Sequence, residues 1–235
     1  MIRPRMMVIA AAALIALSGC GGSGDDTKSA AKPKADLSKL SANALLAKAK
    51  TQIEKQSSVT IDGSGNDGGN EIGMNISYVA EDASGTVTFD GSEMTLLKVD
   101  GKSFFKAEDD FWKAQAGEEA ATIIDLVDGR WIKADGDSDF ADLVSLTKRS
   151  FLSEEILDPD GKVTKGTSKK IGGVDCLALK DDEAGTLYVA SDDGRPIRLL
   201  GEGESQGDLS FSYDPVDAPK APASADIVDL AALAG

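Results

Sequence analysis

Hydrophobic and polar residues alternate in the region that follows the first helical segment. In NEIGMNISYVA, residues 70–80, Ile, Met, Ile and Tyr alternate with Gly, Asn and Ser, and the alternation continues through residues 84–91. A period of two is typical of a strand with one buried face. Two further strands are predicted in GSEMTLLKVDG and KSFFKA. Asp-Gly pairs at 90–91 and 100–101 mark the tight hairpin turns that lead into them. The pattern therefore predicts an antiparallel meander with one apolar face.

Three stretches have helical spacing instead. Residues 38–56, SKLSANALLAKAKTQIEKQ, place apolar residues near one helical face, and Ser41 or Asn43 can cap the first turn. Residues 108–129 and 138–157 are predicted to be helical, and a short strand, RWIKAD, separates them.

The last third of the chain returns to strands. KVTKGTSKKI, VDCLALK, GTLYVAS, PIRLLGEGE and DLSFSYD are predicted strands, and Asp193-Gly194 turns one pair. The tail DIVDLAALAG either lies against the domain or frays. The order of helix, strands, helices and strands predicts the α+β class, with helices on one face of a large antiparallel sheet.

The N-terminus has the features of a secretory signal. Arg3 and Arg5 precede an apolar stretch, Met6–Leu17, which is shorter than the roughly 20 residues that span a bilayer. Leu17-Ser18-Gly19-Cys20 resembles the lipobox of bacterial lipoproteins, in which a peptidase cuts before a cysteine that carries a diacylglyceryl group. Residues 1–19 are therefore expected to be a lipoprotein signal peptide. The alternative is an ordinary signal peptide with an incidental cysteine.

A lipid anchor and a flexible tether are expected to precede the domain. Residues 20–36 begin at the lipidated Cys20 and are rich in Gly, Ser, Lys and Asp. A tether of this length spans roughly 20–25 Å, and two or more acyl chains hold a protein stably on a membrane. We expect residues 37–230 to form a single domain and residues 231–235 a tail, with the protein on the outer face of the cytoplasmic membrane.

The charge balance excludes nucleic acid as a partner. The chain has 25 Lys and Arg, 40 Asp and Glu and no histidine, a net charge of −15. Without the two leader arginines, 23 basic residues face 40 acidic ones, a net charge of −17. Such a surface repels polyanions and gains nothing from anionic lipid headgroups.

The two cysteines have separate expected roles. Because Cys20 is assigned to lipid, no intramolecular disulfide is expected. Cys176 lies in a predicted strand and is expected to be a small buried hydrophobe, with a reactive or intermolecular thiol as the alternative.

Motif-like stretches do not form a catalytic or metal site. Residues 203–207 fit G-x-S-x-G, but a serine nucleophile needs a base and the chain has no histidine, so a hairpin turn is predicted. Residues 63–68 fit G-x-G-x-x-G, but a strand follows where a dinucleotide site needs a helix, so a hairpin loop is predicted. Asp135, Asp137 and Asp139 lack the later ligands of a calcium loop. We expect no enzyme, no metal and no cofactor. Paired carboxylates acting as in a glycosidase are the remaining enzymatic alternative.

A family resemblance is carried by the end of the chain. The strand Gly185–Ala190, the Asp-Gly-Arg-Pro turn and strand of residues 193–199, and FSYDPVDAPKAPASADIVDL, residues 211–230, resemble the end of LolA/LolB-like lipoprotein domains. They are nearest to the actinobacterial LppX/LprG-type lipoproteins. This resemblance implies a strongly curved antiparallel half-barrel sheet whose concave face is covered by helices. It also implies a cavity for the acyl chains of lipids or glycolipids.

The expected function is therefore lipid binding or transport at the cell envelope. The ligand would be an acylated lipid or glycolipid, the protein a monomer with a possible envelope protein partner, and residues 108–129 and 138–157 the gate. The alternative is an interaction or sensor module of the same fold with a filled core. The cavity candidates are Met74, Ile76, Tyr78, Val87, Phe89, Met94, Leu96, Ile123, Ile124, Val127, Leu143, Leu146, Phe151, Leu187, Val189, Leu199, Leu209 and Phe211.

Overall fold

Helix α1 is the first long element of the described chain. The computed structural model describes residues 36–67, 69–134, 140–183, 185–203 and 206–229, all within one compact unit, Ala35–Gly235. Helix α1 spans Ala42–Lys55, and Ser41 Oγ caps it by accepting a hydrogen bond from the Ala44 amide at 3.2 Å. The helix predicted over residues 38–56 is confirmed, with Ser41 as its cap. Its buried residues are Leu45, Ala49 and Ile53.

The other elements follow in chain order. The first strands are β1 Ser58–Asp67, β2 Asn70–Val79, β3 Asp82–Phe89, β4 Ser92–Val99 and β5 Lys102–Ala107. The middle holds α2 Asp109–Ala116, α3 Ala120–Val127, β6 Trp131–Ala134, α4 Ala141–Leu146 and a π-helix, Leu152–Ile156. The last strands are β7 Val163–Lys165, β8 Lys169–Ile171, β9 Val174–Asp181, β10 Gly185–Ala190, β11 Pro196–Gly201, β12 Gly207–Ser212 and β13 Ile227–Val228.

All thirteen described strands join one open sheet. Their order is β13-β6-β5-β4-β3-β2-β1-β12-β11-β10-β9-β7, and β8 also pairs with β9. Pairing of β1 with β12 joins the early strands to the late ones. Neighbours among the described strands are antiparallel except β13 and β6, which are parallel. The α+β class, with a large antiparallel sheet and a few helices, is therefore confirmed, and the sheet does not close on itself.

Strand β1 corrects the predicted loop at residues 63–68. Gly63 and Gly65 lie inside β1, and the connection to β2 begins only after Asp67. A Cβ at Gly63 would lie 1.9 Å from the Asp208 carbonyl oxygen of β12, so this position needs glycine. The glycines made the strand look like a loop because they carry no apolar side chain.

The helix predicted over residues 138–157 is wrong as one element. Helix α4 ends at Leu146, and the π-helix begins at Leu152. Between them the Arg149 side chain turns into the core and binds backbone carbonyl groups of α1 and β2. These tertiary bonds interrupt the helix, and spacing along the chain gave no sign of them.

Two further predicted elements are divided. The helix predicted over residues 108–129 is α2, a 3₁₀ turn and α3, and it breaks at Gly117, whose φ is 54°. The strand predicted over residues 162–171 is two short strands, β7 and β8, which both pair with β9.

The helix-facing side of the sheet holds the main core. Tyr78 and Ile76 of β2 pair with Val59 and Ile61 of β1, and all four side chains are fully buried. The opposite face has a smaller cluster, in which Trp131 and Ile227 pack on Leu97, Val99 and Phe104. The tail, DIVDLAALAG, is predicted either to lie against the domain or to fray. Its residues in β13 lie against the sheet, while residues 230–235 lie outside the described residues.

Candidate functional site

Cross-strand register lines up one row of large apolar side chains on the helix-facing side. The row crosses the sheet from β3 to β9 and is interrupted only at Gly63. We call it the apolar row: Val87, Met74, Leu209, Leu199, Leu187 and Leu179.

The adjacent row, nearer the strand turns, has almost no side chains. Gly65, Gly207, Gly201 and Gly185 lie beside one another on β1, β12, β11 and β10, and we call them the glycine row. In the apolar row, Val87, Leu187 and Leu179 are buried, whereas Leu199 and Leu209 have only glycines beside them on the side of the strand turns. Met74, Leu199 and Leu209 are accordingly only half-buried. The sheet itself thus forms one wall of a groove.

The first cavity of this groove lies between α1, the π-helix and strands β9–β11. Its volume is about 230 Å³, and we call it the leucine cavity. Its walls are mostly leucine, isoleucine and valine, with carboxylates at the rim. The lining residues used below are Leu46, Ile156, Val163, Leu179, Leu187 and Leu199.

Two further cavities each share one lining residue with the leucine cavity, and we include them in the groove. The glycine cavity, about 180 Å³, shares Leu199 with the leucine cavity and adds Ile72, Met74 and Leu209 above the glycine row. The α4 cavity, about 580 Å³, shares Glu155 with the leucine cavity. Its apolar lining residues are Phe89, Leu143, Leu146 and Phe151.

Half of the predicted cavity residues lie at the groove or are partly exposed. Met74, Leu199 and Leu209 line the glycine cavity, and Phe89, Leu143, Leu146 and Phe151 line the α4 cavity, as given above. Ile123 and Ile124 are half-buried on α3, in none of the three cavities. The buried candidates are Ile76, Tyr78, Val87, Met94, Leu96, Val127, Leu187, Val189 and Phe211.

Among these buried candidates, Leu187 also lines the leucine cavity, and the others pack in the core. Cys20 lies outside the described residues. Sequence reasoning missed Leu46, Ile156, Val163 and Leu179. The alternation of β9 carried a signal for Leu179, but Leu46 and Ile156 become wall residues only through tertiary packing.

The segment that covers the groove is fixed to the sheet at residues 146–149. The Tyr78 hydroxyl donates a hydrogen bond to the Leu146 carbonyl at 2.6 Å. Burial raises the pKa of Tyr78 well above its ordinary value, so this phenol stays a donor. The hydroxyl groups of Thr147 and Ser103 form a hydrogen bond at 3.3 Å, and the Arg149 guanidinium donates to four backbone carbonyl groups. Residues 146–149 are therefore attached to the sheet and to the end of α1 by several buried hydrogen bonds.

Two contacts tie the far end of the same segment to α1. Lys50 Nζ lies 2.6 Å from Asp158 Oδ1, and Ser153 Oγ donates to Glu54 Oε1 at 2.6 Å. Both are exposed, so each is weak on its own. This end of the segment is held less firmly than the buried end at Arg149.

The described residues hold neither of the metal or hydrolase arrangements that the sequence motifs suggested. Among the described residues no group of three or more His, Cys, Asp or Glu is arranged to hold a metal ion. Cys176 is 2% exposed, as predicted for a buried hydrophobe, and burial raises the pKa of its thiol. The G-x-S-x-G stretch connects antiparallel β11 and β12, so it lacks the strand-to-helix turn of a hydrolase. Asp135, Asp137 and Asp139 lie outside the described residues. No described helix is long and apolar enough to cross a membrane.

Comparison with known proteins finds similarity in three-dimensional structure. No protein-family model and no curated protein matches the chain. LprF from Mycobacterium bovis is 10% identical over 76% of this chain and 96% of its own, with a TM-score of 0.49. An uncharacterised conserved protein from Thermus thermophilus is 10% identical over 80% and 98%, with a TM-score of 0.40. MucB is 17% identical over 79% of this chain and 63% of its own, with a TM-score of 0.39, and its complex with MucA(peri) also matches.

These TM-scores are all below 0.5. What the groove does therefore has to be argued from its own residues.

Proposed function

We propose that this protein is a lipid-anchored, non-enzymatic lipoprotein that binds or carries an acylated lipid or glycolipid in the groove. The observation that carries the proposal is the apolar row left half-covered beside the glycine row. Covering that row with an acyl chain removes apolar surface from water, at about 25 cal/mol per Å². On the side of Leu199 that faces the strand turns, the next described positions on this face of β10, β11 and β12 are Gly185, Gly201 and Gly207, which have no side chain to fill the space.

The anchor keeps the groove close to its lipid source. Acylated Cys20 would hold the chain on the outer face of the cytoplasmic membrane, and residues 21–36 would act as its tether. Acyl chains could then pass from bilayer to groove while the domain stays within roughly 20–25 Å of the surface.

A second candidate is an interaction or sensor module with an envelope protein partner. The observation that favours it is the central core, which is filled: Ile61, Ile76 and Tyr78 are fully buried beneath α1 and α4. The space available to a ligand is therefore at the turn end of the sheet and not through its middle.

Native mass spectrometry with a matched pair of variants tests the proposal. Leu199 lines two cavities, whereas Leu200, the next residue of β11, is also half-buried but points to the opposite face. Leu199→Gln should reduce the fraction of protein that carries an acyl lipid by on the order of tenfold, since a polar amide would enter the apolar wall. Leu200→Gln should carry lipid as the wild-type chain does.

The outcome separates the two candidates. A wild-type chain that emerges without lipid and takes up none of the offered acyl lipids would contradict lipid binding and favour the interaction module. Equal loss in both variants would mean that the groove is not where the lipid is held.

A further inference from the structure

Residues 158–162 separate the leucine cavity from a wider cavity beside α1. This second cavity, about 500 Å³, lies between α1 and the start of β7, and we call it the α1 cavity. Leu46, Pro159 and Val163 line both cavities, so these side chains form the wall between them. We propose that residues 158–162 are a lid that moves aside to admit the acyl chain, an inference that rests on the function proposed above and names the entrance to its site.

Both ends of the lid are fixed to the rest of the fold. Leu157, just before it, is 4% exposed and packs in the main core. Val163, just after it, begins β7 and pairs with Asp181 of β9. The residues between these two ends belong to no helix or strand. A movement of the lid therefore need not break the core packing or the strand pairing on either side of it.

Two hydrogen bonds hold the lid to the end of β9 and the turn that follows. The Gly161 amide donates to Asp181 Oδ2 at 3.2 Å, and the Lys162 amide donates to Asp182 Oδ1 at 2.6 Å. Both acceptors are side-chain carboxylates, and Asp182 is exposed. Segments held by solvent-exposed hydrogen bonds open locally at a lower free energy than the core does. This attachment therefore permits opening while the sheet stays folded.

One ion pair holds the lid to α1. Lys50 Nζ lies 2.6 Å from Asp158 Oδ1, and the Asp158 side chain is 63% exposed, so the pair is weak on its own. Helix α1 is held far more firmly, because Leu45, Ala49 and Ile53 are buried in the core. Of the two elements that meet at this wall, the lid is therefore the one that moves.

The lid also determines how much room a ligand has. The leucine cavity alone has about 230 Å³, which is below the roughly 300–1,000 Å³ of common small-molecule sites. With Pro159 displaced, it would open into the α1 cavity of about 500 Å³. The remaining shared walls, Leu46 and Val163, are apolar, so an acyl chain that crosses between the cavities stays in contact with apolar side chains.

The lid lies close to the point at which the chain enters the domain. Lys165, the last residue of β7, donates from Nζ to the Ser38 carbonyl at 2.6 Å. Asn43, in the first turn of α1, lines the α1 cavity. Ser38 follows closely on residues 20–36, the proposed tether. An entrance at the lid would therefore lie near the place where the proposed tether joins the domain.

A reversible disulfide tests whether the lid must move. A Cβ at Gly161 would lie 2.2 Å from Asp182 Oδ1, so a cysteine pair at these positions is within reach of a disulfide. The variant Gly161→Cys/Asp182→Cys is made in the full chain carrying Cys20→Ser. Its oxidised form should take up dansylaminoundecanoic acid on the order of tenfold more slowly than its form reduced with dithiothreitol, as expected when a lid gates entry. Stopped-flow fluorescence measures both rates, and the reduced form is the control for folding.

A second disulfide controls for the crosslink itself. The hydroxyls of Thr60 and Ser77 lie 2.7 Å apart on β1 and β2, on the face of the sheet away from the groove. Thr60→Cys/Ser77→Cys therefore places a disulfide in the sheet without touching the lid. Its oxidised and reduced forms should both take up the probe at the wild-type rate.

Loosening the lid should have the opposite effect. Lys50→Gln/Asp182→Ala weakens two of its three polar contacts and should raise the uptake rate about three- to fivefold, as the loss of weak exposed contacts allows. The control Lys170→Gln/Asp175→Ala removes an exposed ion pair of 3.1 Å between β8 and β9 and should leave the rate unchanged.

The outcomes separate the lid from the binding function. Equal uptake rates in the oxidised and reduced forms of Gly161→Cys/Asp182→Cys would overturn the lid and leave acyl binding intact. An unchanged rate in Lys50→Gln/Asp182→Ala would do the same. If the folded wild-type chain takes up no acyl probe at all, the proposed function fails as well.

Discussion

At the scale of single residues, Arg149 joins three parts of the fold. It is 8% exposed, and its guanidinium donates to the carbonyls of Ile53, Gln56 and Ser57 at 3.3, 2.6 and 3.4 Å, and to that of Tyr78 at 3.2 Å. The first three carbonyls lie at or just after the C-terminal end of α1, where the helix dipole favours a cation. Its Nε has no hydrogen-bond partner in the described structure. A buried charge is thus stabilised by backbone dipoles, without a carboxylate.

Arg149→Met should therefore be strongly destabilising. Removal of the guanidinium leaves four carbonyl groups short of a charged donor, and we expect the free energy of unfolding to fall by about 3 kcal/mol. Urea denaturation measures this loss. Arg198→Met is the matched control, because Arg198 pairs with Asp208 on the exposed face of the sheet and should contribute less than about 1 kcal/mol. Similar losses in both variants would contradict the role given to Arg149.

The buried Tyr78 and the partly buried Tyr213 should make the fold sensitive to alkali. Burial raises the pKa of Tyr78 and of Tyr213 above the ordinary value near 10. Above pH 10 the unfolded chain loses these protons while the folded chain keeps them, so stability is complete below pH 10 and falls as the pH rises. Each tyrosine should lower the free energy of unfolding by about 1.4 kcal/mol per pH unit. Tyr78→Phe should roughly halve the slope contributed by this pair, and an unchanged slope in denaturation curves between pH 10 and 11 would contradict the assignment.

At the scale of elements, the strands with large alternating side chains were predictable and the glycine-containing strand was not. Strands β2–β5 carry Ile, Met, Val, Phe or Leu at alternate positions, and the predicted Asp-Gly hairpin turns at 90–91 and 100–101 are confirmed, with positive φ at all four residues. Strand β1 has Val59 and Ile61 at its inward positions but Gly63 and Gly65 after them. Periodicity cannot detect a strand whose inward positions are empty.

The groove could be predicted only in part for the same reason. Alternation indicated that Met74, Leu199 and Leu209 face inward, but not that they are neighbours. Their adjacency depends on pairing between β1 and β12, which are about 150 residues apart along the chain. The glycine row arises from that same register, so sequence reasoning could not distinguish the residues beside an open space from those in the filled core.

Segment 141–157, and not α3, should control acyl uptake. Leu143 is half-buried on α4 and lines the α4 cavity beside Phe89. Ile124 is half-buried on α3 and lines none of the groove cavities. Leu143→Asp should therefore reduce acyl-lipid binding by on the order of tenfold, because a carboxylate would be desolvated when a chain enters, whereas Ile124→Asp should bind as wild type. Fluorescent fatty-acyl titration measures both, with the unfolding midpoint of each variant as the control for folding. Equal losses of binding in the two variants would show that residues 108–129 also belong to the gate.

At the scale of the whole molecule, the net charge and the proposed lipid anchor would act in opposite directions at a membrane. If the predicted leader is removed, the remaining chain has 23 basic and 40 acidic residues and is repelled by anionic headgroups, so its surface charge cannot retain it there. Retention would have to come from acyl chains, each buried methylene contributing about 0.8 kcal/mol.

Cys20→Ser should for this reason release the protein completely from the membrane fraction, at low as well as high salt. The second cysteine provides the control: Cys176 is 2% exposed within β9, out of reach of an acyl transferase, so Cys176→Ser should stay membrane-bound. Cell fractionation followed by immunoblotting distinguishes the two. A Cys20→Ser chain that remains in the membrane fraction would show that something other than the lipid holds the domain there. The groove would then have to receive its ligand by a route that does not depend on the tether.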